Sequence, residues 1–301
     1  MKLHQLEALV GVAQHGSIRA AARAMHLSQA ALTKSLRQLE SDCGLALLTR
    51  QASGVVLTES GQRLLQRSRL ILRQLALAKE DFKQAQGDHT GVLRVGITPY
   101  LMQTVLGQAF GWFRERYPQV ELSLVEGLVA RVVPAIRDGS MDFAVVADTS
   151  DFAHAEFSRS YWLSEPQTVV VRKKHPLLKQ VTAAKLAALE WVMPGPYLQG
   201  LDERFQDMFA SNNIPKPSQV TRCDAMAALA LVRMSDAVSV MPLSLLKQPA
   251  GQGLVAVTLR QLQPPAIRVV QVSLADVPLT PAASYFARCL ADALRASNPQ
   301  T

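Results

Sequence analysis

Two short helical patterns, each opened by a serine and parted by only a few residues, constrain this chain more than any other stretch. From Gly16 to Cys43 it reads GSIRAAARAMHLSQAALTKSLRQLESDC. Ser17 precedes Ile18–Met25, and Ser28 precedes the run that opens at Gln29. A serine hydroxyl ahead of a helix accepts one of the orphan backbone N–H groups, so both serines read as N-caps. The first helix is rich in alanine and therefore slim, which lets the second cross it closely. His26 and Leu27 form the connection, and that spacing predicts a helix-turn-helix.

The second helix sorts its residues by face. Leu32, Leu36, Leu39 and Cys43 recur at intervals of four, three and four, one buried stripe. The face roughly 120° away, at ~100° per residue, carries Gln29, Ala30, Thr33, Lys34 and Arg37. Gln pairs bidentately with adenine, Thr offers a methyl and a hydroxyl, and Lys or Arg takes guanine or phosphate. Ser17 and Ser28 stand at helix N-termini, where phosphates bind. The bland alternative is a solvated polar face, which a tight capped pair with a basic lower half argues against.

The segment resembles the N-terminal domain of LysR-type transcriptional regulators. The likeness runs in one register through Leu6, Ala13, Gly16-Ser17, Ala21-Ala22, Leu27-Ser28-Gln29, Leu39-Glu40, Gly44, Leu47-Leu48, Arg50, Leu57-Thr58 and Gly61. The chain departs from the pattern at Ala30, where proline usually follows the Ser-Gln pair, and at Ser53, where a wing arginine is common. The resemblance implies double-stranded DNA as partner, a small-molecule effector, and a homodimer that assembles to a homotetramer. RNA polymerase is a further partner open to such a regulator.

Charge is distributed as that reading needs. Residues 1–85 hold twelve Lys or Arg against six Asp or Glu, whereas the rest of the chain carries an excess of only two. A basic module on a near-neutral body points to a polyanion for that module alone. Cys43, Cys223 and Cys289 are few, odd in number and far apart, which predicts a reducing compartment without a disulfide framework. No apolar run approaches a membrane span and the start is an amphipathic helix, so the expectation is a cytoplasmic protein without membrane contact. No Cys/His cluster has metal spacing, so no cofactor or metal is expected.

Along the chain, residues 3–14 read as a helix with Leu3, Leu6, Leu9, Val10 and Ala13 as its buried stripe. Residues 47–57 read as a small hairpin, a wing. Arg50 has two readings there, a phosphate or minor-groove contact and a tie between the wing and the helices; Ser53 sits at the tip. Thr58 caps a helix reaching about Gln86, with a heptad seam at Leu64, Ser68, Ile71, Leu75, Ala78, Phe82 and Ala85. A long helix with one apolar stripe and no local partner predicts pairing with a second copy, the alternative being that it packs on its own C-terminal domain. Gly87–Gly91 is the hinge.

Beyond it, strands and helices alternate: strands at 92–97, 120–125 and 143–147, with helices at 100–117 and 131–138 between them. A second block from about Ser164 has strands at 168–172, 191–193, 220–222 and 238–241 and helices at 182–189, 201–212 and 225–233. A strand at 268–273 and a helix at 281–296 return to the first block. Alternation predicts α/β architecture with mostly parallel strands. The whole then reads as an N-terminal winged helix-turn-helix (1–58), a long linker and dimerisation helix (59–87) and a two-lobed α/β effector-binding domain (88–301). Its lobes are expected at about 91–163 with 268–301, and at about 164–267. By resemblance, this domain is similar to periplasmic solute-binding proteins.

In open α/β sheets, ligands bind at the carboxyl ends of strands. Thr98, Pro99, Tyr100 and Leu101 follow one strand end, Ala147 a second, and Met193, Gly195, Pro196 and Tyr197 a third. Cys223, Asp224 and Pro242 complete the expected effector site. Thr98 and Asp224 also read as helix caps, and Cys223 lacks a nearby resolving cysteine for a redox role. Arg137–Ala144 and Pro278–Ala283 are similar to stretches of regulators of toluenesulfonate degradation, which implies an anionic effector, an aromatic carboxylate or sulfonate. Absence of GxSxG, P-loop, GxGxxG and HExxH patterns argues against an enzyme. A ligand-independent regulator answering to a protein partner remains the other reading.

Overall fold

The computed structural model describes residues 1–51, 54–195, 201–210 and 213–297. Two compact units emerge, Met1–Thr90 with Pro134–Met141 and Gly91–Val133 with Asp142–Thr301. In the first, helices α1 (Leu3–His15), α2 (Ile18–Ala24) and α3 (Gln29–Cys43) precede a hairpin of β1 (Leu48–Gln51) and β2 (Gly54–Leu57) and the helix α4 (Glu59–Ala85). The caps are made as the sequence implies: Ser17 Oγ accepts the Ala20 N–H and Ser28 Oγ the Ala31 N–H, both at 3.1 Å. Thr58 Oγ1 accepts the Gly61 N–H at 3.0 Å. His26, at φ 54°, folds the α2–α3 turn back on itself.

Leu9, Leu32 and Leu39 are fully buried in the core of this unit. α1 differs from its expected stripe: Gln5, Leu6, Ala8, Leu9, Gly11 and Val12 are buried, whereas Leu3 stays exposed. The cause is that α1 packs on α2, α3 and α4 together, so it buries a broad face instead of one edge. Glu40 Oε1 accepts both the Leu47 and Leu48 N–H groups, at 2.9 and 3.1 Å, and so ties α3 to the hairpin.

The seam of α4 also divides. Its first members face the core of their own unit, where Leu64 packs and Ser68 is fully buried with its hydroxyl on the Leu64 carbonyl. From Ile71 onward the stripe opens, and Ile71, Leu75 and Phe82 are 46%, 36% and 71% exposed. The first turns of α4 serve as a lid on the helical core, which uses up the N-terminal end of the repeat. Gly61 marks the closest approach: a Cβ there would stand 2.0 Å from the Leu47 carbonyl oxygen. Gly61→Ala is therefore expected to lose about 1–3 kcal/mol of stability in urea unfolding. An unchanged midpoint would show that α4 can back away from β1.

The second unit runs β3 (Val92–Ile97), α5 (Pro99–Thr104), α6 (Leu106–Arg116), β4 (Glu121–Glu126), α7 (Val129–Arg137), β5 (Phe143–Ala147), β6 (Phe157–Glu165) and β7 (Gln167–Arg172). There follow α8 (Ala183–Ala187), β8 (Trp191–Pro194), α9 (Leu201–Ala210), β9 (Val220–Cys223), α10 (Ala225–Met234), β10 (Val238–Pro242), β11 (Leu254–Val257), β12 (Ile267–Leu274) and α11 (Pro281–Ser297). Ser211 and Asn212, the expected end of α9, lie outside the described residues. The strands form two sheets of five, in the orders β4-β3-β5-β12-β6 and β9-β8-β10-β7-β11.

The two orders match strand for strand, so this unit is one pattern used twice. In each sheet two pairings are parallel and two antiparallel. Four of the five strands in each sheet therefore run the same way, as the alternation implies, and the one reversed strand, β12 or β7, lies between two of them. The antiparallel pairs arise where the chain crosses between sheets, once from β6 to β7 and once from β11 to β12. The helix expected over 100–117 is broken at Val105 (φ −120°, ψ −17°). Thr104 and Val105 are adjacent β-branched residues, and the buried Val105 turns into the core while its N–H still reaches the Leu101 carbonyl.

Candidate functional site

In the first unit, the sequence-derived face is a continuous surface of α3. Gln29, Ala30, Thr33, Lys34, Arg37 and Gln38 line one shallow groove. Gln29, Ala30, Lys34 and Arg37 are exposed, while the stripe of Leu32, Leu36 and Leu39 on the opposite side is buried. The Thr33 hydroxyl donates to the Gln29 carbonyl at 2.7 Å. Ser17 and Ser28 stand at the N-termini of α2 and α3, their hydroxyls already engaged as caps. Arg50 lies on β1 opposite Val55, and the Val55 N–H donates to the Gly16 carbonyl, so the hairpin is fastened to the α1–α2 turn. Ser53 lies outside the described residues.

In the second unit, the strand ends gather around a cavity of about 560 Å³. Thr98, Pro99 and Tyr100 follow β3, Ala147 ends β5, Met193, Pro194 and Gly195 end or follow β8, and Pro242 ends β10. Asp224 joins them from the start of α10, where its carboxylate accepts the Ala227 N–H at 2.8 Å. Leu101 and Cys223 are placed elsewhere: Leu101 is wholly buried in the core of the first sheet, and Cys223 packs against the core beneath α10. Pro196 and Tyr197 lie outside the described residues.

The cavity also uses Arg222, from the strand end before α10, and residues that the sequence reading passed over: Gln103, Glu126, Gly127, Gln167 and Met226. Glu126 and Gly127 end β4, the parallel neighbour of β3, so the strand-end rule reaches them once Ile97 and Glu126 are known to pair. Gln167 enters from the crossover at the start of β7, and no local pattern announces it. Two of the helix N-termini at the cavity, those of α5 and α10, are poor anion sites. α5 begins with Pro99, which has no N–H, and the Leu101 and Met102 N–H groups are held by the Thr98 carbonyl. α10 is closed by the Asp224 carboxylate.

All three cysteines are free thiols. Burial first, then the charge of Asp224, pushes the Cys223 thiol above its ordinary range. Burial does the same to Cys289, which is enclosed in the core. Among the described residues no group of His, Cys, Asp and Glu is placed to hold a metal ion, and no helix is long and apolar enough to cross a membrane.

The model of the bacterial regulatory helix-turn-helix proteins of the lysR family matches residues 3–62, and that of the LysR substrate binding domain matches 86–295. The chain is 28% identical over 176 residues to the hydrogen peroxide-inducible genes activator of Pectobacterium carotovorum, a match covering 58% of each protein. It is 26% identical over 223 residues to the transcriptional regulator TdcA of Escherichia coli K12, covering 73% of this chain and 72% of that one. The match thus spans a little over half the length of the peroxide-inducible relative. Among solved structures, a full-length OxyR from Pseudomonas aeruginosa superposes with TM-score 0.69 at 21% identity, over 98% of this chain and 95% of that one. CbnR in complex with its target DNA gives 0.66 at 22% identity, over 97% and 100%. At such identities the likeness is one of fold.

Proposed function

The chain belongs to the LysR family of DNA-binding transcriptional regulators with an effector-binding domain, and from that premise we propose that it reads promoter DNA through α3 as a dimer and responds to a small molecule held in the second unit. The observation that carries the first part is the exposed groove of Gln29, Thr33, Lys34 and Arg37 on a doubly capped helix pair. Lys34 and Arg37 displace counterions from the phosphates, and Gln29 meets base edges. Arg50, with its backbone fastened beside the α1–α2 turn, and Ser53 are proposed as wing contacts.

Pairing of two copies is proposed along the open part of the α4 stripe, Ile71, Leu75 and Phe82, with further assembly to a tetramer. The cavity at the strand ends, with Met193, Phe205, Met226, Leu229 and Ile267 in its wall, suits a small, largely apolar effector. For an aromatic carboxylate or sulfonate, Arg222 would be the anchoring cation, opposed by Glu126 and Asp224 in the same wall. Peroxide sensing, named for the relatives, would need a stabilised thiolate, and burial drives Cys223 and Cys289 the other way. Control by a protein partner alone would leave the melting temperature unmoved by every small molecule tried.

The test is anisotropy titration of the full-length protein on DNA selected from a random pool. Affinity is expected to fall steeply with salt, and Lys34→Ala with Arg37→Ala should lower the slope of log K against log salt by about two. Gln29→Ala should keep the slope and relax base preference by about 1–3 kcal/mol at one position per half-site. Affinity indifferent to both sequence and salt would end this reading.

A further inference from the structure

The buried polar groups behind the cavity do not fit an anionic ligand. Glu165 ends β6 at the crossover between the two sheets and is 1% exposed. Its Oε1 accepts the Ser244 N–H at 3.1 Å, but its Oε2 is sealed from solvent with no hydrogen-bond partner. No ion pair to Glu165 is found among the described residues. The Tyr100 hydroxyl is likewise buried and without a partner, and so is the Ser244 hydroxyl. Tyr100 lines the cavity, as do Gln167, two residues along the chain from Glu165, and Ile267, its partner across the sheet.

A carboxylate left half satisfied in the protein interior is costly, and so is an orphaned phenol. The cost has a use if a ligand supplies the missing positive charge. Glu126, half-buried, and Asp224 stand in the described lining against one cation, Arg222, which is already engaged in an interaction of its own. Of the helix ends at the cavity, α5 starts with Pro99, which has no N–H, and α10 already carries the Asp224 carboxylate.

We infer that the cavity is built for a largely apolar effector carrying an ammonium group, with that group against Glu126, and with the sealed Tyr100 hydroxyl and Glu165 acting on it through their field from within the wall. This inference rests on the reading of the cavity as the effector site and adds the charge of what fills it. The Tyr100 hydroxyl is held as a neutral donor and acceptor, because burial and then the negative charge of Glu165 push its ionisation well above the ordinary range. Glu165 is a positioning residue: its sealed oxygen touches no ligand, but in a low-dielectric interior a charge one side chain away still selects for a cation.

Three probes of one shape separate the charge from the shape: tryptamine, tryptophol and indole-3-acetate. Titration calorimetry on the full-length protein at neutral pH should rank tryptamine about tenfold or more tighter than tryptophol, and indole-3-acetate weaker than both. Glu165→Gln should bring the ratio of amine to alcohol affinity down by about tenfold. Glu126→Gln, on a half-buried side chain outside the core, should lower the same ratio and keeps the test decisive if the buried variant fails to fold. Indole-3-acetate binding tighter than tryptamine, or a ratio untouched by both variants, would overturn the cationic inference while leaving the cavity as the effector site. No binding of any of the three would count against the cavity reading itself.

Discussion

Ile71→Glu combined with Leu75→Glu is expected to turn the full-length protein into a monomer on sedimentation and to weaken its affinity for its selected DNA by about a hundredfold or more. Both side chains sit on the part of α4 that its own unit does not cover, at 46% and 36% exposure. α4 has 27 residues, which at 1.5 Å each is a rod of about 40 Å. Two carboxylates placed on the stripe would face two more from the partner, and apolar burial would be replaced by like-charge repulsion. In the proposed dimer each α3 would read one half-site, so separating the copies would convert a bivalent contact into two weak ones. The core residues Leu9, Leu32 and Leu39 are untouched, and the helical content of the variant should match the parent. A variant that stayed dimeric with unchanged DNA affinity would remove α4 as the pairing element.

The first unit was legible because its signals are local. Ser17, Ser28 and Thr58 announce three helices, and each makes the hydrogen bond that its position implies. The groove residues on α3 followed from the period of the helix once its buried stripe was read. What the sequence concealed there depended on neighbours: Leu3 is exposed and Val12 buried because α1 touches three other helices at once.

In the second unit the interior strands β3, β5 and β10 stood out as apolar runs, whereas β6 and β11 did not. Both are edge strands, paired on one side only. β6 carries Ser158, Arg159 and Ser160 on exposed positions, a composition that reads as a loop. The site shows the same division. Thr98, Met193 and Gly195 follow from strand ends that can be counted along the chain. Glu126 and Gln167 reach the cavity, and Glu165 the layer behind it, only through pairings of strands distant in sequence, β3 with β4, β7 with β10 and β6 with β12. Glu165 in particular is an acid beside a proline in a serine-rich stretch, and nothing local marks it as 99% enclosed.

Trp191→Ala is expected to cost about 3–5 kcal/mol of stability, and to remove the response of the second unit to any ligand of the cavity. The indole is fully buried, stands edge-on to Phe205 and Phe209 at ring distances of 5.2 and 5.3 Å, and donates its N–H to the Leu186 carbonyl at 2.9 Å. Truncation would leave a void among these rings and an unpaired carbonyl, two penalties that add. Position matters as much as size. Trp191 opens β8, which pairs with both β9 and β10 and whose far end delivers Met193, Pro194 and Gly195 to the cavity wall. Trp191→Phe keeps an aromatic face but lacks the N–H, so its loss should be distinctly smaller. Urea unfolding monitored by far-ultraviolet circular dichroism measures both variants, and calorimetry with the tightest probe reads the ligand response. If Trp191→Ala unfolded within about 1 kcal/mol of the parent, the core of the second sheet would not depend on this side chain, and β8 would be held by its strand pairings alone.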